Sequence, residues 1–116
     1  MTTYEILNNE ILLIKPKDVI TVSEALSFSK LVNQIVSSKS VKYVIIDFQN
    51  TTVVSSAFLS ALLSLKKRLL ELGGEVVLVS LNEKIRKIFE LAEIIHLFKT
   101  FPSIEEGKNY LLGKNI

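Results

Sequence analysis

The chain contains no cysteine. That excludes a disulfide framework and a thiolate metal site. It has one histidine, His96, so no histidine cluster exists to hold zinc. Proline occurs twice and glycine four times, and no Pro/Gly/Ser-rich linker divides the chain. No apolar run approaches the roughly 20 residues that a membrane span needs. Charge of one sign is scarce too. A net charge of +2 leaves no basic footprint for nucleic acid. The start, Met1-Thr2-Thr3-Tyr4-Glu5, lacks the basic head and apolar stretch of a signal peptide. The expectation is a soluble, cytoplasmic chain that binds neither nucleic acid nor membrane. What the chain does have is apolar material. Its hydrophobic share is 48% of 116 residues, enough for a core without a staple. One domain over residues 1–116 is expected.

Short apolar runs alternate with longer amphipathic ones. Tyr4 to Leu7 and Ile11 to Lys15 read as strands. Asn8-Asn9-Glu10 between them reads as a turn, because Asn tolerates left-handed backbone. Val22 to Ser38 has a helical stripe of Val22, Ala25, Phe28, Val32, Ile35 and Val36. Thr21 with Glu24 forms a capping box at its start. Val41 to Phe48 holds Tyr43-Val44-Ile45-Ile46, a run that suits a strand buried on both faces, and Gln49 to Val54 reads as a connection. Ser55 or Ser56 then caps a long helix through Leu72, which Gly73-Gly74 stops. Glu75 to Ser80 contains Val76-Val77-Leu78-Val79, a second buried strand. Asn82 caps a helix that turns Ile85, Ile88, Phe89 and Ala92 to one face. Lys99 to Phe101 is a short strand. Ser103 with Glu106 opens a last helix. The order β-β-α-β-α-β-α-β-α predicts an α/β fold. Its five-stranded sheet is mixed but mostly parallel, covered by about four helices, with one antiparallel edge strand.

Enzyme signatures are scarce. There is no Gly-x-Gly-x-x-Gly motif and no phosphate-binding Gly-Lys-Ser/Thr loop. Ser56, His96 and Asp47 hold the residue types of a hydrolytic triad but lack a Gly-x-Ser-x-Gly elbow. Asp47 ends a central strand, where α/β proteins place ligand contacts and where solvated carboxylates are also common. One well-placed acid is too few for a divalent-cation receiver site. No cofactor and no metal are expected. The distinctive stretch is Thr51-Thr52-Val53-Val54-Ser55-Ser56, a hydroxyl-rich loop that runs into a helix. A serine there can simply cap. A phosphorylated serine there would face free backbone N–H groups and the positive end of the helix dipole, and would add nearly two negative charges. Along the helix, Phe58, Ala61, Leu62, Leu65, Leu69 and Leu72 form the core stripe. Leu59, Leu63 and Leu70 form a second ridge, which serves either neighbour packing or docking. Lys66, Lys67 and Arg68 flank it as a solvated face able to steer an acidic partner.

The run Val44-Ile45-Ile46-Asp47-Phe48-Gln49-Asn50, the serine loop with its leucine-rich helix, and Gly73-Gly74-Glu75-Val76-Val77-Leu78-Val79 together resemble the STAS domains of anti-sigma factor antagonists. The helix from Asn82 to Glu90 fits that family as well. The resemblance spans nearly the whole chain and is best from Val41 to Phe98. It implies a STAS fold and a non-enzymatic, transcription-regulating role. It also implies a partner: an anti-sigma factor, often a serine kinase that phosphorylates the loop serine and so weakens the complex. Carried over residue by residue, the acceptor is Ser56, with Ser55 as the alternate. Val54 stands where the family has Asp, Ala57 where it has Gly, and Leu59 where a second Gly is common. The partner-binding residues expected are Asn50, Thr51, Thr52, Val54, Ser55, Ser56, Leu59 and Leu63. Val54 favours an alternative, a STAS scaffold or transport-accessory module that works without phosphorylation. A nucleotide-binding module near Asp47 and Ser56 is a third reading, against which the missing glycine-rich loop weighs.

Overall fold

In the computed structural model, residues 2–114 are described. Strands β1 (Thr3–Leu7) and β2 (Ile11–Lys15) form the opening hairpin. Asn8 and Asn9 both take left-handed φ, at 53° and 58°. Asparagine's local hydrogen bonding makes that conformation accessible. A two-residue strand, β3 (Val19–Ile20), precedes helix α1 (Val22–Lys39). Thr21 accepts from the Glu24 amide at 3.2 Å, but the Glu24 carboxylate turns instead to Lys17 Nζ, at 3.2 Å. Only half of the predicted capping box forms. Strand β4 (Tyr43–Asp47) is wholly buried. It is followed by a second two-residue strand, β5 (Val53–Val54), and by helix α2 (Ser56–Glu71).

Gly73 takes φ +79°, and at Gly74 a Cβ would fall 1.8 Å from the Lys42 carbonyl oxygen. The pair therefore does more than stop a helix. Its second member lets the chain pass against the backbone at the head of β4. Strand β6 (Glu75–Val79), helix α3 (Glu83–Leu91), a single 3-10 turn at Ile95–Leu97, strand β7 (Lys99–Phe101) and helix α4 (Ile104–Gly113) complete the chain.

The main sheet has the order β1-β2-β4-β6-β7. Only the β1–β2 pair is antiparallel, and β1 lies at an edge. This is the predicted mixed, mostly parallel five-stranded sheet with four helices. The surprise is β3 and β5, which pair in parallel as a separate two-stranded sheet. Residues 49–54 are thus partly strand rather than simple connection. Two residues are too few to show any periodicity in sequence. One sheet face packs under α1, α2 and α3 through Leu12, Ile14, Val44, Ile46, Val76 and Leu78. The other face packs under α4 through Ile11, Leu13, Tyr43, Ile45, Val77 and Val79. A chain of edge-to-face rings, Phe28–Phe58–Phe48–Phe89–Phe98, links α1, α2 and α3 with centroid spacings of 4.9 to 6.1 Å. Such pairs each contribute on the order of 1 kcal/mol beyond burial. No helix among the described residues is long and apolar enough to cross a membrane.

Candidate partner-binding site

The loop between β4 and α2 is held from below and from both sides. Asp47 Oδ1 accepts from the Gln49 amide at 3.0 Å, and the Thr51 amide donates to the Phe48 carbonyl at 3.0 Å. Asp47 is buried, and this oxygen of its carboxylate closes its own turn. Thr51 is fully buried, and its hydroxyl donates to the Lys17 carbonyl at 3.1 Å. Asn82 works twice. Its Oδ1 caps α3 by accepting from the Ile85 amide at 2.9 Å, while its Nδ2 donates to the Thr51 carbonyl at 2.9 Å. On the other flank the Thr52 amide donates to the Asp18 carbonyl at 2.8 Å, and the Thr52 hydroxyl donates to the Asp18 carboxylate. Val19 pairs with Val53 and Ile20 with Val54. The Ser55 amide donates to the Ile20 carbonyl at 2.9 Å.

The two serines divide the work that the sequence left open between them. Ser55 is the N-cap of α2, its Oγ accepting from the Phe58 amide at 3.3 Å. Ser56 is the first helical residue and is exposed. Its hydroxyl makes no hydrogen bond among the described residues. No hydrogen bond joins Ser56, His96 and Asp47 either, and His96 lies exposed in the 3-10 turn.

Of the residues expected to touch a partner, Asn50, Thr52 and Ser56 are exposed, while Ser55, Leu59 and Leu63 are half-buried. Leu59 and Leu63 pack against the core with their inner edges, whereas Leu70 on the same ridge is exposed. Two expectations need correction. Thr51 is fully buried and Val54 is buried, so neither presents a side chain to a partner; both shape the loop from within. Of the basic trio, Lys66 lies over the Phe98 ring at 6.0 Å. Arg68 bridges to Asn33 and Ser37 of α1. That leaves Lys67 as the exposed, uncommitted cation of the three.

Sequence reasoning missed part of the surface. Val22, placed in the core stripe, is 59% exposed. Leu26, one turn further on, is 62% exposed, and the paired Val19 and Val53 are 40% and 42% exposed. Val19 and Val53 are an exposed apolar pair on the mini-sheet, and Val22 and Leu26 expose a second pair on the first turns of α1. The signal was present in part: Val22 and Leu26 stand four apart, a second ridge beside the α1 stripe. The pairing of Val19 with Val53 spans 34 residues and no local pattern reveals it.

The fold that carries this loop has known relatives. The family model for the STAS domain matches residues 6–107, and the chain belongs to the STAS domain family. A search of curated proteins finds no match. Among solved structures, the anti-sigma factor antagonist SpoIIAA in its unphosphorylated form superposes with a TM-score of 0.87 at 15% identity, covering 97% of each chain. The Bacillus cell fate determinant SpoIIAA in its phosphorylated form gives 0.77 at 14% identity, covering 95% of this chain and 98% of that one. The murine Slc26a9 anion transporter gives 0.70 at 14% identity, covering 89% of this chain but only 18% of the transporter. At these identities the likeness is one of fold.

Proposed function

We propose that the chain is a cytoplasmic anti-sigma factor antagonist. It binds an anti-sigma factor of the serine-kinase type through the exposed part of the loop from Asn50 to Ser56, the first turns of α2 and the two exposed apolar pairs, Val19 with Val53 and Val22 with Leu26. The observation that carries this reading is the division of labour between the serines. Ser55 holds the helix, so Ser56 is available for modification without loss of the cap. The Ser56 hydroxyl takes the γ-phosphoryl group of the kinase's ATP, and ADP leaves. The phosphate stays on the positive end of α2, where backbone N–H groups tolerate it. A partner that covers the loop together with those valines and the leucine must desolvate the phosphate's charge. Binding therefore weakens while the fold is kept. The match to the STAS family and the likeness to SpoIIAA in both phosphorylation states support the reading.

The test is affinity capture of the tagged chain from its source cells, with mass spectrometry of the partners and of the serine loop. The wild type and Ser56→Ala are expected to recover a kinase-type anti-sigma factor, and Ser56→Asp to recover about tenfold less of it. An aspartate at the first helical position is favourable to the helix, so loss of capture by that variant reports binding rather than misfolding. Recovery of a non-kinase partner, equally by all three proteins and with both serines unmodified, would sink the switch. One observation favours that second reading, a phosphorylation-independent scaffold or transport-accessory module. Val54, which stands where the family resemblance implies Asp, is a buried residue of the mini-sheet, so that position supplies no carboxylate to the acceptor.

A further inference from the structure

We propose that the outer edge of β1 is a second docking edge, which takes an extended segment of a partner protein with apolar residues at alternate positions and a basic residue between them. β1 ends the sheet and is paired on one side only. In an antiparallel ladder, alternate residues of such a strand point their N–H and C=O groups outward, where a further strand can bind them. Thr3, Tyr4, Glu5 and Ile6 are exposed, and Leu7 is half-buried.

The register decides what an incoming strand meets. Tyr4 and Ile6 stand opposite Ile14 and Leu12, which are fully buried. Directly opposed residues share a sheet face. Tyr4 and Ile6 therefore continue the apolar layer beneath α1 beyond the part the helix covers, and they remain 50% and 37% exposed. A cavity of about 290 Å³ opens nearby between Thr2, next to β1, and Glu24, Ser27, Phe28 and Leu31 of α1. An added strand would lay its apolar side chains along this shelf.

The opposite face selects the occupant. Glu5 stands opposite Leu13, with Lys15 opposite Thr3 one strand further in. Glu5 is thus the charged side chain that β1 itself carries. A second copy pairing antiparallel about Glu5 would set two Glu5 carboxylates side by side, and like charges directly opposed are destabilising. A strand with Lys or Arg at that position gains the opposite-charge pair. The edge therefore discriminates against self-association and in favour of a basic, alternating segment.

Titration of the nitrogen-15-labelled full chain with an acetylated (Val-Lys)3 peptide tests this. Amide shift changes are expected at Thr3–Leu7 and across β2. The (Val-Glu)3 peptide is expected to bind about tenfold more weakly, as is (Val-Lys)3 to an Ile6→Lys variant whose spectrum remains dispersed. Ser56→Asp should leave the titration unchanged, which separates this edge from the serine site. Absence of shift changes, changes centred on Asn50–Ser56, or equal binding of the two peptides would overturn the proposal. So would sedimentation showing that the chain dimerises through β1.

Discussion

At the scale of single residues, two adjacent serines differ in what they bond to, Ser55 capping the helix and Ser56 standing exposed, and stability measurements separate them. Ser55→Ala removes the side-chain oxygen that accepts from the Phe58 amide at 3.3 Å, leaving that donor only its bond to the Ser55 carbonyl at 3.0 Å. The expected loss is about 1 kcal/mol. Ser56→Ala removes an exposed hydroxyl with no hydrogen bond and introduces the best helix former. Its expected change is within about 0.5 kcal/mol and of either sign. Urea unfolding of both variants checks this. Equal losses would mean that the cap is shared and that Ser56 cannot be modified independently of it. Asp47 makes the complementary point. Its position at a strand end suggests a ligand contact, yet its carboxylate closes a two-residue turn onto the Gln49 amide. A strand-end carboxylate is as useful to the backbone next to it as to a ligand, and only its partner tells which.

At the scale of elements, the site depends on the two-residue strands β3 and β5 and the hydrogen bonds that tie them. Thr51 anchors this unit from inside, with its hydroxyl on the Lys17 carbonyl and its own carbonyl held by Asn82. Thr51→Val keeps the shape and deletes the hydroxyl, leaving the Lys17 carbonyl unpaired. The expected cost is about 1–2 kcal/mol. Amide exchange should quicken at Thr52, Val53 and Ser55, whose N–H groups bond to Asp18 and Ile20, and stay slow through β4. Uniform quickening would show instead that the loop opens only with the whole fold. The same unit explains what the sequence could and could not reveal. The five main strands and four helices were legible because each is long enough to show a period, a β-branched run or a capping residue. Asn82 was legible as a cap, but its second bond to Thr51 was not, because that contact joins residues 31 apart. Ser56 was singled out by the family resemblance alone, since Ser55 and Ser56 were equal candidates for the cap. The burial of Thr51 and Val54 was not, because it follows from Lys17 to Ile20 folding over the loop.

At the scale of the whole molecule, the two sheet faces are closed by different means, and pH is expected to distinguish them. The face under α1, α2 and α3 is sealed by phenylalanine rings and aliphatic side chains, which do not titrate. The other face is closed by α4 alone, and the C-terminal end of that helix is fastened by a polar cluster. The Tyr110 hydroxyl donates to Glu75 at 2.9 Å, Lys114 Nζ pairs with Glu75 at 3.2 Å, and Lys114 lies 5.2 Å from the centre of the Tyr110 ring. Burial pushes the Tyr110 phenol above its ordinary value of 10.0, and the Glu75 carboxylate pushes it further. The hydrogen bond and charge of Glu75 raise Lys114 above its ordinary 10.5. In both groups the fold favours the protonated form. Their contribution to stability is therefore fully present below pH about 10 and is lost as pH rises through the raised folded values. Unfolding midpoints in urea are expected to be flat across neutral and mildly alkaline pH as far as this cluster is concerned, and to fall above pH about 10. Tyr110→Phe removes one of the two titrating groups, so its midpoint should start lower and decline less steeply. An alkaline decline equally steep in that variant would place the titrating group elsewhere and leave α4 held by its apolar contacts, Leu111 foremost among them.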